Sequence, residues 1–370
     1  MMSVHKIAVL GAGNGGSAAA ADLTLRGYEV RLYSRSTRTL EPILERDGIE
    51  LVEGDKKNFA RPGLVTNRIG EAVADAELVM LAAPAVAHAE LVGGLAPHLR
   101  DGQIVFLNPG HTGGSLHVAA LLRRLDLKPR ICETVTLTYI CRSIGPGTVE
   151  IYRRTTNLRC AAFPGKFTAE LVREMATIYP SIVPAENVLE TGLSNINAVI
   201  HPAGMIGNAE RIRTGEGDFY FYRDGITTAI ANDIDAVDGE RLKIVERLGL
   251  PAHSFVELFY RAGLTTENAR SSGSVYEAIR QSAPNRAIKS PTTLDHRYLH
   301  EDVGFGLVPI SEIGKFVGIE TPAIDGLITL ASELNRCDYR RDGLTLEKMG
   351  LAGTRPDNLP TLLHEGFFEI

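Results

Sequence analysis

Residues 5–33 constrain the fold of this chain more than any other stretch. The segment HKIAVL (5–10) has the composition of a buried strand, and the glycine-rich GAGNGG (11–16) follows it directly. A helical segment of small residues then runs to Gly27, and YEVRLY (28–33) is typical of a second strand. Strand, glycine turn, helix and strand in this order predict a parallel βαβ unit that binds a dinucleotide.

The glycines of this loop each have a physical reason in such a unit. Gly11 permits the tight turn, Gly13 lets the backbone approach a pyrophosphate, and Gly16 lets the helix pack close to the strand. The helix N-terminus then presents free N–H groups and a positive dipole end to the phosphates. We therefore assign Gly11, Gly13, Asn14, Gly15 and Gly16 to cofactor binding. A glycine-rich turn without a ligand is the alternative interpretation.

The end of the second strand indicates which dinucleotide is bound. NAD sites usually carry Asp or Glu there, which accepts a hydrogen bond from the ribose 2′-hydroxyl. This chain has Ser34 and Arg35 instead. An arginine can form a forked hydrogen-bonded pair with a 2′-phosphate, so the sequence favours NADP over NAD. The alternative is that Arg35 stacks on the adenine and that NAD is also accepted.

The alternation of strands and helices continues along the chain. The segments LVM (78–80) and QIVFLN (103–108) read as strands with helical stretches between them, which predicts a parallel sheet with crossovers. Pro84 and Asn108 come at the carboxyl ends of these strands, where such folds bind ligands, so both are assigned to the cofactor site. His111 follows in the same loop as a second acid–base candidate or a solvated histidine.

The second half of the chain has a different texture. From residue 131, the segments TLTYICRS, GTVEIYRR and NLRCAAF predict strands that extend the sheet at its far edge in antiparallel fashion. From about residue 166 helical periodicity dominates, and 370 residues favour two domains. We predict an α/β fold class: a doubly wound Rossmann domain over residues 1–185, followed by an all-α domain over residues 186–370.

Composition excludes several classes of function. The net charge of −6 argues against a sequence-independent nucleic-acid binder, which needs a basic face. No run approaches the roughly 18 apolar residues that span a bilayer, and the N-terminal segment lacks a signal peptide's apolar region. The four cysteines show no CxxC pair and no zinc-like spacing with histidine. These features predict a cytoplasmic protein with free thiols and no metal, membrane or nucleic-acid partner.

The segment NAVIHP (197–202) places a histidine inside an apolar, helix-like run. Pro202 cannot donate a backbone hydrogen bond, so it is expected to kink the helix at His201. A buried imidazole at such a break needs a partner or a chemical role. Because histidine titrates near cellular pH, it is the natural proton shuttle. A core histidine whose hydrogen bonds are satisfied is the alternative.

The segment DHRYLHEDVGFGLVP (295–309) supplies the partner. Asp302 heads a stretch of glycines and proline that reads as a non-helical turn entering the core, where an unpaired carboxylate is costly. We therefore predict a His201–Asp302 pair. Arg297 lies on the same segment and is placed to bind a substrate carboxylate through two parallel hydrogen bonds. A capping aspartate and a surface arginine are the alternatives.

Taken together, these segments resemble the opine dehydrogenase family, which includes octopine, nopaline and N-(carboxyethyl)norvaline dehydrogenases. The resembling segments are GAGNGG, LNPGHTGGSL, ETVTLTYICRS, GPGTVEI, ENVLETGLSNINAVIHP, HRYLHEDVGFGLVPISE, TPAIDGLI and RDGLTLEKMGL. The resemblance implies a Rossmann domain followed by a helical domain. It also implies a catalytic histidine–aspartate pair, which falls on His201 and Asp302, and an arginine that binds the keto acid, which falls on Arg297.

The activity implied by the resemblance is the NAD(P)H-dependent reductive condensation of an amino acid with a 2-keto acid. The chain would thus be an NAD(P)-dependent dehydrogenase acting on CH–NH bonds, and a homodimer is expected. Thr138 and Tyr139 are predicted as further substrate contacts. The aromatic residues of DFYFYRDG (218–225) either line the amine pocket or belong to the core. The sequence leaves the amino acid and the keto acid open.

Two other functions share part of this pattern. A 2-keto-acid or glycerol-3-phosphate-type reductase has the same layout but typically relies on a lysine of the helical domain, and no lysine here lies in a site-like segment. A non-catalytic dinucleotide sensor would keep the glycine loop without needing a His–Asp pair. One feature departs from the family: several members carry an acidic residue where this chain has Ser34 and Arg35, so their preference for NAD does not carry over.

Overall fold

The computed structural model describes residues 4–215 and 218–367, which belong to two compact units. The first unit comprises the chain up to Thr191 together with the segment from Asp357 onward. The second unit is Gly192–Pro356. The predicted boundary at residue 185 therefore lies shortly before the observed division, while the C-terminal segment groups with the first unit and not with the helical one.

The first unit alternates strands and helices over the described residues. Its strands are β1 (Lys6–Leu10), β2 (Glu29–Tyr33), β3 (Ile49–Glu53), β4 (Lys56–Ala60), β5 (Leu64–Thr66), β6 (Leu78–Leu81), β7 (Ile104–Leu107), β8 (Arg130–Thr134), β9 (Tyr139–Gly145), β10 (Thr148–Arg154), β11 (Leu158–Phe163) and β12 (Ile182–Pro184). Its helices up to the division are α1 (Asn14–Leu25), α2 (Thr37–Glu45), α3 (Ile69–Val73), α4 (His88–Leu95), α5 (Gly114–Arg123), α6 (Thr168–Ile178) and α7 (Val188–Leu193), the last of which contains the division.

Eight of these strands form one large sheet in the order β12-β11-β8-β7-β6-β1-β2-β5. All neighbouring pairs are parallel except β8 and β11, which are antiparallel. The parallel strands and their crossover helices confirm the predicted Rossmann architecture. Because β1, β6 and β7 are parallel neighbours, the loops that follow them meet at one edge of the sheet.

A second sheet of four strands, in the order β4-β3-β10-β9, corrects part of the prediction. Only β11 joins the large sheet at its far edge as an antiparallel strand, whereas β9 pairs with β10, and β10 pairs in turn with β3. The reason lies in α1, whose Ala18–Ala21 are completely buried. Small side chains all around this helix let strands of both sheets pack against it.

The second unit is helical over its described residues, apart from one β-bridge between Tyr220 and Lys289. Its helices are α8 (Ile196–Gly207), α9 (Ala209–Arg213), α10 (Thr228–Arg247), α11 (Phe255–Arg261), α12 (Glu267–Ser272), α13 (Val275–Arg280), α14 (Arg297–Asp302), α15 (Val308–Phe316), α16 (Pro322–Asn335) and α17 (Tyr339–Asp342). A π-helical turn, Val303–Leu307, joins α14 to α15. This unit confirms the predicted helical C-terminal architecture.

The segment around Asp302 is helical, so the expected non-helical turn was wrong. Asp302 ends α14, and the chain continues through the π-turn into α15. The glycines serve close packing instead of chain reversal: a Cβ added at Gly306 would lie 2.6 Å from the Cβ of Ala198 on α8. Helix α8 continues through Pro202, and the kink at His201 stays a prediction.

The C-terminal segment packs on the first unit through helix α18 (Leu359–Glu365) and the residues after it. The ring of Phe367 lies 4.9 Å from that of Phe163, and Lys166 forms an ion pair of 3.0 Å with Glu365. Apolar side chains of α18, among them Leu359 and Leu362, are buried. These contacts explain why the end of the chain groups with the Rossmann sheet.

Three further features concern the described residues as a set. None of their helices combines the length and the apolar character needed to cross a membrane. The cysteines are free, with Cys132 and Cys160 buried and Cys141 and Cys337 partly exposed. Within residues 4–215 and 218–367, no three histidine, cysteine or acidic side chains are arranged to hold a metal ion.

Candidate active site

The glycine loop has the geometry that a dinucleotide-binding turn requires. Gly11 has a φ of +123°, and a Cβ added there would lie 2.3 Å from the carbonyl oxygen of Ala82. A Cβ at Gly16 would lie 1.7 Å from the carbonyl oxygen of Gly11, so α1 packs directly on the turn. Gly13, the N-cap of α1, is exposed, and a Cβ added there would meet no neighbouring atom within 4 Å. The residues therefore leave open the approach that a pyrophosphate needs.

This contrast between glycines leads to a first prediction. Gly13→Ala is expected to weaken NADPH binding about tenfold, or about 1.4 kcal/mol, because the added methyl group projects into space that only the cofactor would fill. The melting temperature should remain unchanged. Fluorescence titration with NADPH and thermal unfolding measure the two quantities. Gly16→Ala is the comparison, since its clash with Gly11 should lower the melting temperature as well; an unaltered affinity in Gly13→Ala would contradict the loop assignment.

Asn14 and Gly15 hold the loop against neighbouring structure. The side-chain oxygen of Asn14 accepts a hydrogen bond of 3.0 Å from the backbone N–H of Ser143 on β9. A Cβ added at Gly15 would lie 2.8 Å from Leu137 Cδ2. Both residues therefore position the loop, and their direct contact with a cofactor stays a prediction.

Ser34 and Arg35 follow β2 directly, so no carboxylate stands at the position where NAD sites usually have one. The exposed guanidinium of Arg35 forms an ion pair with Glu90 of α4. An ion pair between two exposed side chains contributes little free energy, because water screens it. Arg35 can therefore exchange Glu90 for a phosphate at low cost.

Asn108 and Thr138 form a buried pair at the carboxyl edge of the large sheet. Asn108 accepts a hydrogen bond of 3.0 Å from the N–H of Thr138 and donates one of 2.9 Å to its hydroxyl. The pair links the end of β7 to the connection before β9. Pro84 lies exposed in the turn after β6, as the sequence places it. The structure thus uses Asn108 and Thr138 to shape this edge of the sheet.

Tyr139 occupies a structural position beneath α1. Its side chain is buried, and its hydroxyl donates a hydrogen bond of 2.7 Å to Asp22. Burial alone would raise the pKa of Asp22, but hydrogen bonds from Arg154, Tyr139 and Arg26 outweigh it and lower this pKa. Because the Tyr139 hydroxyl is hydrogen-bonded to Asp22, Tyr139 is not part of the proposed substrate site.

Glu133, at the end of β8, is a buried carboxylate that the sequence did not single out. It accepts hydrogen bonds from the N–H of Ser115, at 2.9 Å, and from the hydroxyl of Thr191. Burial raises the pKa of Glu133 to about 7, against the opposing effect of these bonds and of nearby His111. A Cβ added at Gly110 would lie 2.3 Å from the carboxyl group, so Glu133 supports the loop that contains Gly110 and His111.

His201 and Asp302 lie together in the second unit. His201 Nδ1 is 2.7 Å from Asp302 Oδ2, and both side chains are buried, with 6% and 3% of their surface exposed. An ionised carboxylate only accepts hydrogen bonds, so beside it a neutral imidazole carries its proton on Nδ1 and presents the lone pair of Nε2. This places one basic nitrogen in a defined direction.

Two tyrosines that sequence reasoning did not assign to His201 complete its surroundings. The hydroxyl of Tyr222 lies 2.8 Å from His201 Nε2. The ring of Tyr298 stacks on the imidazole at a centroid distance of 3.7 Å and an angle of 12°. The aromatic segment that contains Tyr222 was one available signal, and its core interpretation also holds, because Phe219 and Tyr222 are buried.

Arg297 begins the helix that Asp302 ends. Its Nη2 and Nε atoms lie 2.5 and 3.0 Å from Glu301 Oε2, and 56% of its side chain is exposed. Burial opposes the charge, but Glu301 and Asp302 outweigh this effect and raise the pKa of Arg297. Glu301 therefore fixes the guanidinium while its outer side faces solvent. Glu301 lies four residues after Arg297, and this spacing brings two side chains together on a helix. The spacing was the signal in the sequence for this ion pair.

A second carboxylate–imidazole–phenol array is centred on His300 of the same helix. His300 Nε2 is 2.8 Å from Asp295 Oδ1, and the hydroxyl of Tyr339 is 2.8 Å from His300 Nδ1. Asp295 is exposed and His300 is partly exposed. This array has the same chemical groups as that of His201, but its imidazole and carboxylate are open to solvent, which makes it a natural control.

Comparison with known proteins matches the two parts of the chain to two family models. Residues 7–155 match the family model described as "Ketopantoate reductase PanE/ApbA", and residues 184–335 match "NAD/NADP octopine/nopaline dehydrogenase, alpha-helical domain". An opine dehydrogenase of Arthrobacter sp. (strain 1C) is 36% identical over 354 residues, covering 95% of this chain and 97% of that protein. The chain belongs to the opine dehydrogenase family.

Solved structures share the fold of this family member. An octopine dehydrogenase solved with NADH and L-arginine superposes with a TM-score of 0.78 at 19% identity, covering 99% of both chains. A yersinopine dehydrogenase with bound NADP⁺ gives a TM-score of 0.75 at 16% identity, covering 98% of both chains. At these sequence identities the superpositions show that the fold is shared.

Membership in the family confirms the predicted activity class. The chain is an NAD(P)-dependent oxidoreductase acting on CH–NH bonds, and its reaction is the reductive condensation of an amine with a keto acid. The keto-acid reductase and sensor alternatives are not favoured. The preference for NADP, the homodimer and the roles of individual site residues stay predictions.

Proposed function

We propose that this opine dehydrogenase uses His201, held by Asp302, as its acid–base group, Arg297 as its keto-acid ligand and NADPH as its preferred reductant. The observation that carries the proposal is the buried hydrogen bond of 2.7 Å between His201 Nδ1 and Asp302 Oδ2. The pairing directs His201: Asp302 holds Nδ1 and leaves Nε2 for proton transfer. Burying both groups is costly unless they are paired.

The pair accounts for the proton transfers of the condensation. His201 Nε2 takes a proton from the substrate ammonium, so that the neutral amine can attack the keto carbon. Asp302 stabilises the resulting imidazolium through the Nδ1–H bond. The imidazolium then returns the proton to the hydroxyl group on that carbon, which leaves as water. General acid–base help of this kind typically contributes ~10²–10⁴-fold in rate.

Arg297 is suited to bind a carboxylate. Glu301 occupies its Nε and Nη2 atoms and fixes the plane of the guanidinium, whose side chain remains half exposed. A fixed, permanently charged fork can bind the keto acid's carboxylate and so orient its carbonyl group.

The glycine loop and Arg35 suit a phosphorylated dinucleotide. Gly11, Gly13 and Gly16 would hold the pyrophosphate at the N-terminus of α1, and Arg35 would pair with a 2′-phosphate. When bound, the reduced nicotinamide supplies the hydride that converts the imine to a secondary amine.

A substrate screen tests the proposed function. Oxidation of NADPH is followed with amino acids crossed against pyruvate, glyoxylate and 2-oxoglutarate. The proposal requires turnover that depends on both the amine and the keto acid. Turnover with a keto acid alone would instead identify a keto-acid reductase, and cofactor binding without any turnover would favour a sensor.

The cofactor preference yields a second prediction. Arg35→Ala should raise the KM for NADPH about 10- to 100-fold, because a charge-assisted hydrogen bond contributes about 1.5–3 kcal/mol. The KM for NADH should change less than about threefold. Steady-state kinetics with both cofactors measure the effect. Arg61→Ala is the control, because Arg61 is also an exposed arginine with an acidic partner, Asp47. Equal losses for both cofactors in Arg35→Ala would refute the assignment.

A further inference from the structure

Tyr222 contacts Nε2 of His201, the ring nitrogen that the proposed proton transfer uses. Its hydroxyl is 2.8 Å from Nε2, while Asp302 holds Nδ1. In the neutral imidazole protonated on Nδ1, Nε2 presents a lone pair and accepts a hydrogen bond from the phenol. Any proton that reaches Nε2 must therefore displace this hydroxyl or pass through it.

The segment that contains Tyr222 is firmly attached to the helices of its own unit. The N–H of Phe221 donates to the carbonyl of Ile288 at 2.9 Å, and Asn208 donates to the carbonyl of Gly225 at 2.8 Å. The ring of Phe221 packs against Gly204 of α8, where a Cβ would lie 2.6 Å from the ring. The hydroxyl of Tyr222 is therefore held in place, which favours transfer through it over its displacement.

The ring of Tyr222 is also confined. It meets Phe221 edge-on, with centroids 5.2 Å apart, and only 6% of the residue is exposed. On the other side, Tyr298 stacks on the imidazole and fixes the plane of that ring. The direction from Nε2 to the phenol oxygen is thus defined from both ends.

We propose that Tyr222 is a catalytic residue that relays protons between the substrate and His201. As an N–H bond of the substrate ammonium breaks, a new O–H bond forms on Tyr222, and the original phenolic proton moves to Nε2. The products are a neutral amine, a neutral phenol and an imidazolium paired with Asp302. In the return direction the imidazolium gives its proton to Tyr222, which gives its own to the departing hydroxyl. This inference rests on the proposed function, since it presumes His201 as the acid–base group.

Tyr222→Phe tests the relay, because it removes the hydroxyl and keeps the ring. We expect kcat to fall ~10- to 100-fold, up to the lower limit of the range for general acid–base help, with the Kd of NADPH unchanged. Tyr220→Phe is the matched control, since it also removes one phenolic hydroxyl from the same segment. The Tyr220 ring packs against the cationic groups of Arg223 and Lys289, at 4.0 and 4.4 Å from its centroid. A kcat for Tyr222→Phe within twofold of the wild type would overturn the relay.

A measurement on the wild-type enzyme keeps the test independent of folding. The rate of the amine-dependent oxidation of NADPH is recorded in mixtures of H₂O and D₂O. A bowl-shaped dependence on the deuterium fraction indicates two protons in motion and supports the relay, whereas a linear dependence overturns it. If His201→Ala is inactive while Tyr222→Phe is fully active, only the relay fails; if His201→Ala is active, the proposed function itself fails.

Discussion

His201→Ala is expected to lower kcat for the condensation about 10²–10⁴-fold, the range that general acid–base catalysis contributes. The Kd of NADPH should stay within a factor of two, because the glycine loop and Arg35 belong to the first unit and His201 to the second. Loss of the imidazole removes the acceptor for the ammonium proton and leaves Asp302 as a buried carboxylate without its partner. Stopped-flow or steady-state assays give kcat, and fluorescence titration gives the Kd.

His300→Ala is the matched control for this variant. His300 is also hydrogen-bonded to an aspartate and a tyrosine, and it lies on the helix that Asp302 ends, but it is partly exposed where His201 is buried. Its replacement should change kcat less than about threefold. Retention of more than a tenth of the wild-type kcat in His201→Ala would refute the catalytic assignment, as would equal losses in both variants.

Glu133→Gln is expected to stabilise the first unit strongly at pH 8 and much less at pH 5. Burial raises the pKa of Glu133 from an ordinary 4.5 to about 7. The folded protein therefore keeps a proton that the unfolded chain releases above pH 4.5. The stability associated with this proton is complete below pH 4.5 and is lost as the pH rises towards about 7.

The size of this effect follows from the same shift. A displacement from 4.5 to about 7 corresponds to roughly 3 kcal/mol of unfolding free energy. Glutamine resembles the protonated carboxyl in shape and cannot ionise, so the variant avoids the loss. At pH 8 we therefore expect Glu133→Gln to exceed the wild type by up to about 3 kcal/mol.

Urea unfolding of both proteins between pH 5 and 8 measures this difference, followed through the transition of the first unit. Comparing the variant with the wild type cancels the titration of those shared groups that do not interact with Glu133. Glu45→Gln, on the exposed side of α2, is the control and should give the same difference at every pH. A stability difference for Glu133→Gln that does not grow with pH would contradict the assigned shift.

Local pattern was sufficient for much of this protein. The order of strand, glycine loop and helix in residues 5–27 depends on contacts between near neighbours, and the structure has these elements where the sequence predicts them. The His201–Asp302 pairing followed from two buried polar groups that each needed a partner. The same reasoning misjudged the segment around Asp302, because its glycines serve close packing of a helical turn on α8.

The sequence by itself determined the Rossmann start, the helical second half and the pairing of His201 with Asp302. Tertiary structure alone decided that β9 and β10 form a separate sheet over α1, that Tyr222 and Tyr298 enclose His201, and that Glu133 meets Thr191. The physical reason is range: periodicity and turn chemistry act over a few residues, whereas these contacts join groups far apart along the chain, and packing selects them only when the whole unit has folded.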